Sequence, residues 1–422
     1  MKNVYTKSDK KKILQYILVF IPFIKIDYFI YVIPALSSVY NVVAITISLG
    51  AAFNYLIKYN RRGLRINHFF ELLILFNLTM IPFSVTEGMT SLFDIFEFYG
   101  SVIYRIAFCG IIAVGLKKRP RVILTALSHL MTVLVLVNIL SVFLFPDGLY
   151  TTGIGFSLNK YWFLGYDNAH IVMYVFCIML IGLVNYLNIG KVRTPWMIVI
   201  YILCSIVTIR LWSATAIVAL VFLGMYIFFP GLFDKASSIF NIRTYIVVIT
   251  IVCISIIAFA TASHSDSGLL SFILNTVLHK DVGFNSRYMI WNNYLDNIWK
   301  HFMFGNGSES AQILIMKNGV NGAHNEWLQI LYNGGIVHFL VYLALLFTCA
   351  RKLLDYKNKG CARIVAISIF AIMIVQLMRG CPEIYWLSMY TIGFYISTIE
   401  NEVNYAPQHL KVAKRSRVRV KI

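Results

Sequence analysis

The chain is predicted to be an all-α integral membrane protein of about twelve transmembrane helices, with a large extracytoplasmic loop that contains an amphipathic helix. Three observations predict it. Only 13% of the 422 residues are charged and 59% are hydrophobic, with a mean hydropathy of +0.74, whereas a soluble domain carries roughly 25% charged residues. Apolar runs of the ~20 residues that span a bilayer recur from end to end. The basic residues gather in short clusters between those runs, the pattern expected when Lys and Arg stay on the cytoplasmic side.

Taken in order, the apolar runs place helices at 13–32, 34–57, 67–84, 93–116, 121–145, 169–188, 195–210, 212–229, 244–262, 325–349, 362–379 and 384–400. An even number of crossings puts both termini in the cytoplasm, and the charges agree. One side receives the N-terminal lysines, then Lys58, Arg61, Arg62 and Arg65, then Lys117, Lys118, Arg119 and Arg121, then Lys191 and Arg193, and then Lys235 and Arg243. The 351–363 and 411–421 clusters fall there too. The other side carries Glu87, Asp94, Asp147, Asp167, Asp266 and Asp281. The lysines at 2–12 precede an apolar run with no small-residue cleavage site after it, which reads as a retained signal anchor. The run 195–229 is too long for one helix and has no Gly or Pro near its middle. It is divided at Arg210, because a single helix would carry the basic 351–363 segment to the outer side.

No stretch is polar enough to form a separate soluble domain. Residues 1–422 are therefore one polytopic domain, with 263–324 as a large extracytoplasmic loop inside it and 401–422 as a basic cytoplasmic tail. A second outer segment is 146–168. In the large loop, Phe284, Tyr288, Trp291, Leu295, Ile298 and Phe302 alternate at spacings of four and three, one face of an amphipathic helix, with Asn285 or Ser286 as its cap. This helix is expected to lie on the outer membrane surface, apolar face down. Gly305-Asn306-Gly307 should end it and offer exposed backbone donors. Gly334-Gly335 should allow close approach of another element.

The formal net charge of +19 suits nucleic acid, but its division into juxtamembrane clusters excludes that partner and favours anionic lipid headgroups. The seven cysteines form no CxxC pair and sit mostly inside apolar runs, so neither a metal site nor a disulfide framework is expected. No HExxH, Walker loop or G-x-S-x-G elbow occurs. The outer segments hold no DxD pair of the kind that carries a metal on a nucleotide-sugar. No cofactor is expected.

Lys25, Arg105, Lys160, Arg210, Lys280, Arg287, Lys300, Lys317 and Arg379 depart from the cytoplasmic bias, and each requires a reason. Arg105 lies near the middle of an apolar helix, at a cost of roughly 2.5–3.5 kcal/mol on the insertion scale. It is either paired with an acid such as Glu97 or Glu71, or it lines a cavity. Arg210 at an outer turn either snorkels to headgroups or binds an anion through its planar fork. Arg287, near the start of the loop helix, is either a solvated first-turn charge or an anion ligand aided by the helix N-terminus. His324, followed by Asn325, stands where the loop re-enters the membrane. It is either a cap or headgroup contact, or a group that takes a proton from a substrate hydroxyl. Asp167, Asn168 and His170 form a similar polar cluster at another outer helix end.

The run Gly283-Phe-Asn-Ser-Arg287-Tyr-Met-Ile-Trp291, then Phe304-Gly-Asn-Gly307, Ala323-His324-Asn325, Leu328 and Gly334-Gly335 resembles the core of the O-antigen polymerase and ligase family, the Wzy-type polysaccharide polymerases and their ligase relatives. Helix count and the late external loop resemble that family along most of the chain. The resemblance implies arginines at the seventh-to-eighth helix turn and in the large loop, and a histidine before asparagine after it: Arg210, Arg287 and His324. Relatives often read Ser-Arg-(small) at that turn, whereas here Arg210 stands upstream of Ser213. Trp291, Asn325, Asn168 and Arg105 are the companion substrate-binding candidates.

The implied enzyme is a metal-independent glycosyltransferase of the bacterial inner membrane. Its implied substrates are polyprenyl-diphosphate-linked oligosaccharide repeats, polymerised on the outer face into O-antigen or capsular polysaccharide. A flippase and a chain-length regulator are its implied protein partners. A ligase that moves finished glycan to a lipid or protein acceptor is the alternative. A transporter is the third reading, disfavoured by the absence of an internal repeat.

Overall fold

The computed structural model describes residues 5–24, 26–62, 67–81, 92–154, 157–166, 169–231, 242–262, 281–309 and 311–403; of these, 55–62, 92–97, 153–154, 157–158, 256–262, 281–288 and 311–312 are described as backbone alone. Lys25, Asp167, Asn168, Lys280 and the tail beyond 403 therefore lie outside the described residues, as does the side chain of Arg287.

Helices dominate, and each predicted apolar run contains one. α1 (Lys7–Phe20) opens with a capping box: Asp9 N–H donates to Thr6 Oγ1 and Thr6 N–H donates to the Asp9 carboxylate, both at 3.1 Å. The predicted helix 13–32 is divided. A 3-10 turn at Ile21–Phe23 follows α1, and a six-residue α2 (Asp27–Val32) comes next, because Pro22 has no N–H to continue the ladder. Then follow α3 (Pro34–Arg62), α4 (His68–Leu78), α5 (Leu92–Lys118) and α6 (Pro120–Leu144). After a small sheet come α7 (His170–Ile189), α8 (Pro195–Arg210), α9 (Ala214–Phe228) and α10 (Ile242–Ala262). The large loop contributes α11 (Asp281–Lys300) and α12 (Ala311–Asn318); α13 (Glu326–Asp355), α14 (Gly360–Gln376) and α15 (Glu383–Phe394) complete the bundle.

Among the described residues, five helices are long and apolar enough to cross a membrane: Pro34–Asn54, Phe98–Lys118, Pro120–Leu144, His170–Ile189 and Glu326–Asp355. Five further apolar helices are shorter. α7 is at the centre, buried along most of its length and packed on α6 and α14. The outer helices instead expose apolar side chains such as Val133, Leu140, Ile206, Val221 and Ile254. A soluble monomer rarely exposes so continuous an apolar surface; a bilayer covers it.

The division at Arg210 is present, and its cause is in the backbone. Ser213 N–H donates to Thr208 O and Trp212 N–H donates to Ile209 O, the two bonds of a Schellman motif. Trp212 takes the left-handed position at φ 51°, where glycine is usual. The absence of Gly and Pro therefore concealed a regular helix stop.

The outer 146–168 segment, unassigned in the sequence, forms an antiparallel sheet of β1 (Tyr150–Ile154), β2 (Ser157–Trp162) and β3 (Gly165–Tyr166), with Tyr150 opposite Tyr161 and Tyr161 opposite Tyr166. Its Tyr, Thr and Trp content suits a strand. Among the bonds that tie it to the bundle, Trp162 Nε1 donates to Phe145 O and Leu164 N–H to Asn138 Oδ1, each at 2.8 Å. At its edge Lys160 meets Asp147 at 2.8 Å, and this hydrogen bond and charge hold the Asp147 carboxyl below the usual carboxylate range.

α13 is not one rod. Gly334 (φ −133°) and Gly335 (φ 63°) leave helical geometry, and the segment before them folds back. The Trp327 ring lies 5.6 Å from that of Tyr342, although fifteen residues of straight helix would separate them by about 22 Å. The open helix ends at the break are closed by the loop at 302–307. Ile336 and Val337 N–H donate to Phe302 and Met303 carbonyls, while Asn306 and Gly307 N–H donate to Tyr332 and Asn333 carbonyls. These are the orphan donors and acceptors that every helix end leaves. The Gly305-Asn306-Gly307 donors, expected to be exposed, are thus buried and used within the fold.

A Cβ on Gly335 would lie 2.5 Å from the Met303 backbone. Gly335→Ala is expected to lower stability by more than about 2 kcal/mol through left-handed strain and overpacking, read as a fall in Tm in detergent. Gly190→Ala has φ 72° but open space around its Cβ, and should cost only about 1 kcal/mol.

Candidate functional site

Three elements meet at one end of the bundle: the docked face of α11, the 319–325 turn and the start of α13. Among the described residues, the α11 apolar face from Trp291 to Ile298 packs on the chain itself and not on lipid. Trp291, Tyr294 and Ile298 are buried against Leu314, Ala323, Leu328 and Tyr332, so the face expected to point into the membrane is covered by the chain itself. The polar edges of this small layer are bonded internally. Asn297 Nδ2 donates to Asn318 Oδ1 at 2.9 Å, Asn318 Nδ2 to Tyr332 OH at 3.3 Å, and Tyr332 OH to Glu309 at 2.6 Å.

His324 is held between two pinned neighbours. Ala323 O accepts from Trp291 Nε1 at 2.9 Å, and Ala323 N–H donates to Gln329 Oε1 at 2.9 Å. On the other side Asn325 caps α13, its Oδ1 accepting from Leu328 N–H at 3.0 Å, with Cys253 of α10 against its amide. His324 itself takes φ 48° and is partly exposed. A non-glycine residue held at positive φ is strained, and such strain concentrates at functional positions. Trp291 and Asn325, expected to touch substrate, are fully buried; in the structure they fix the backbone on either side of His324.

The other candidates are dispersed. Arg287 occupies α11 one turn before Trp291; its backbone position is all that is described. Arg210 ends α8, exposed, with its guanidinium 5.4 Å from the Phe143 ring centre. This is the arrangement of an arginine reaching toward headgroups, with no contact to the His324 turn among its described interactions. Asn168 lies outside the described residues. Its neighbour His170 is buried, with Nε2 2.9 Å from Gly165 O.

Arg105 is buried and paired, but with neither expected acid. Its partner is Glu383 at the start of α15, and its Nε donates to Ser101 O at 3.1 Å. Glu71 instead faces His68 at 3.7 Å on an exposed surface, and the Glu97 side chain is outside the described residues. Sequence distance hid the true partner, 278 positions away. Beside this pair, Glu326 is buried and accepts from Cys381 N–H at 2.8 Å. Arg379 lies 4.8 Å over the Tyr166 ring, its Nε bonded to Gly380 O. Arg105, Glu326 and Glu383 therefore join the middle of α5 to the starts of α13 and α15, with Arg379 in the turn before α15. The sequence marked Arg105 and Arg379 as anomalous cations but carried no signal for Glu326 or Glu383 as their acids.

Among the described residues no group of three His, Cys, Asp or Glu side chains is arranged to hold a metal ion. The arrangement offers a partly exposed imidazole on a rigid turn, next to a helix N-terminus and beneath a helix that carries an arginine. Such a site can orient a hydroxyl and receive its proton.

Residues 161–343 match the family model described as O-antigen ligase. The match runs from β2 to the middle of α13 and contains Arg210, Arg287, Trp291, His324 and Asn325. It supports a membrane glycan-processing enzyme of the O-antigen ligase and polymerase family. Comparison with curated proteins and with solved structures gives no match.

Removing one member of the buried Arg105–Glu383 pair is expected to leave an uncompensated charge. Arg105→Leu should therefore destabilise by about 3–5 kcal/mol, seen as a lower Tm in detergent. Arg105→Leu/Glu383→Leu should recover part of that loss, and a double variant no better than the single would show that the two charges are not coupled.

Proposed function

We propose that this chain is a membrane glycosyltransferase that moves a glycan from polyprenyl diphosphate to an acceptor hydroxyl at the outer face of a bacterial inner membrane. The observation that carries the reading is the coincidence of the family match with the rigidly framed, partly exposed His324. In the proposed topology twelve helices cross the bilayer and both termini are cytoplasmic, so that the His324 turn, the sheet and α11 share the outer side.

The proposed step is a substitution at the anomeric carbon of the donor. The acceptor oxygen forms a bond to that carbon, and the bond from the carbon to the diphosphate oxygen breaks. Its electron pair leaves with the lipid diphosphate, and the hydroxyl proton passes to His324. Arg287 would balance the developing diphosphate charge, with Arg210 as a second candidate at the α8–α9 turn. The diphosphate is already a good leaving group, and no metal is invoked. Trp291 and Asn325 act as positioning residues through the 323–325 backbone. Arg105 serves the frame.

The acceptor is proposed to be a second lipid-linked repeat, which makes the enzyme a polymerase of O-antigen or capsular glycan with a flippase and a chain-length regulator as partners. The family description favours the second reading, a ligase that transfers finished glycan to a lipid or protein. A transporter would use a broken helix to coordinate an ion. The break in α13 is instead closed by the backbone of 302–307, which weighs against that role.

Glycans extracted from a deletion strain, with and without the restored gene, separate the readings. Single repeats with the ladder lost would establish polymerisation. Long polymer left on its polyprenyl carrier would establish ligation, and lipid-linked repeats absent from the outer face would favour transport. In the restored strain, His324→Asn should insert and fold, since Asn tolerates left-handed backbone, yet product should fall by at least about 100-fold. Normal product from a well-expressed variant would remove His324 from the mechanism. Arg287→Ala is expected to behave in the same way.

A further inference from the structure

At the opposite end of the bundle from His324 lies a cavity of about 510 Å³, within the size range of small-ligand sites. It is formed where the α7–α8 turn, the end of α9 and the start of α14 converge. Lys191, Arg193 and Arg363 line it together with Tyr186, Tyr226 and Gly360. No acid lines it. The nearest carboxylate in its wall, Glu400, is buried and already engaged: Lys359 Nζ and Tyr186 OH lie at 2.8 Å from its oxygens and Cys361 Sγ at 3.7 Å. That contact holds the Lys359 ammonium above the usual lysine range. The described lining thus brings three cationic side chains to one cavity.

The floor of the cavity adds a second attraction. α14 begins at Gly360, and its N-cap Lys359 supplies no side-chain hydrogen bond. A helix N-terminus carries a partial positive charge, and here the Cys361 and Ala362 N–H groups already meet the Cys361 thiol. The glycine also lets the floor pack closely: a Cβ there would already touch Val192 at 3.0 Å and Tyr186 at 3.4 Å. The arginines are fixed from behind. Arg193 Nη1 donates to Ile227 O at 3.3 Å, and Arg363 Nε donates to Lys357 O at 2.9 Å. Two partly anchored guanidinium groups and one ammonium facing an uncapped helix start form an arrangement suited to phosphate oxygens.

We propose that this cavity binds a phosphate-bearing anion on the face opposite the transfer site, either the headgroup of an anionic phospholipid or a soluble phosphate. Because the helix ends that form it belong to the core helices α7, α9 and α14, occupancy would brace the bundle at this face. The proposal does not depend on the proposed transferase activity.

Two probes are offered separately to the full chain in neutral detergent: phosphatidylglycerol, read as retained lipid by native mass spectrometry, and labelled inorganic phosphate, read by equilibrium dialysis. The expected result is saturable binding of one probe copy. It should fall about tenfold or more, equivalent to about 1.4 kcal/mol, in Lys191→Gln/Arg193→Gln, whose side chains are exposed at the turn. Arg363→Gln provides a second variant with the same expectation. Binding of lipid alone assigns a headgroup, and binding of inorganic phosphate assigns a soluble anion. Binding of neither, or binding unchanged in both variants, overturns the proposal.

Discussion

The break in α13 at Gly334–Gly335 is the constraint on which the outer half of the molecule depends. A helix end leaves several backbone donors or acceptors unsatisfied, and in a water-poor bundle each such group costs several kcal/mol. The 302–307 segment answers both ends of the break at once, with carbonyls for Ile336 and Val337 and N–H groups for Tyr332 and Asn333. Only glycine permits that approach, since a Cβ at Gly305 or Gly335 would lie 2.5 Å from backbone. Once the loop is seated, α11 is brought onto α13, Trp291 reaches Ala323, and the 323–325 turn is fixed. The position of His324 is thus a consequence of backbone hydrogen bonding ten residues away.

The charged groups divide by what surrounds them. Arg105, Glu326 and Glu383 are largely removed from water and are met by partners within the fold. Taking such groups out of water is costly, and they persist where they are paired and hydrogen-bonded. They lock the middle of α5 to the starts of α13 and α15. His324 and Arg210 retain exposure. The proposed transfer would draw its rigidity from this framework of paired charges.

The two ends of the bundle carry different chemistry. One end holds the tyrosine-rich sheet, the covered α11 layer and the partly exposed His324 turn. At the other end the cavity between α7, α9 and α14 has cations and an uncapped helix start facing inward. The apolar girdle between them, seen in the exposed Val133, Ile206 and Ile254, keeps the ends apart in a bilayer.

The sequence by itself determined the membrane class, the approximate helix positions, the turn at Arg210 and the neighbourhood of His324. These properties arise from local composition: apolar length, clusters of lysine and arginine, and glycines where backbones meet. It also carried the family resemblance, since motifs such as Ala323-His324-Asn325 are contiguous. Tertiary structure decided the rest. The partner of Arg105 is Glu383, not Glu97 or Glu71, because pairing in a bundle follows proximity in space. The α11 face is covered by Leu328 and Tyr332 and not by lipid, because periodicity shows that a face is apolar and not what it meets. Trp291 and Asn325 are buried supports, because the indole N–H and the cap amide are used by backbone groups that only the folded chain brings within reach.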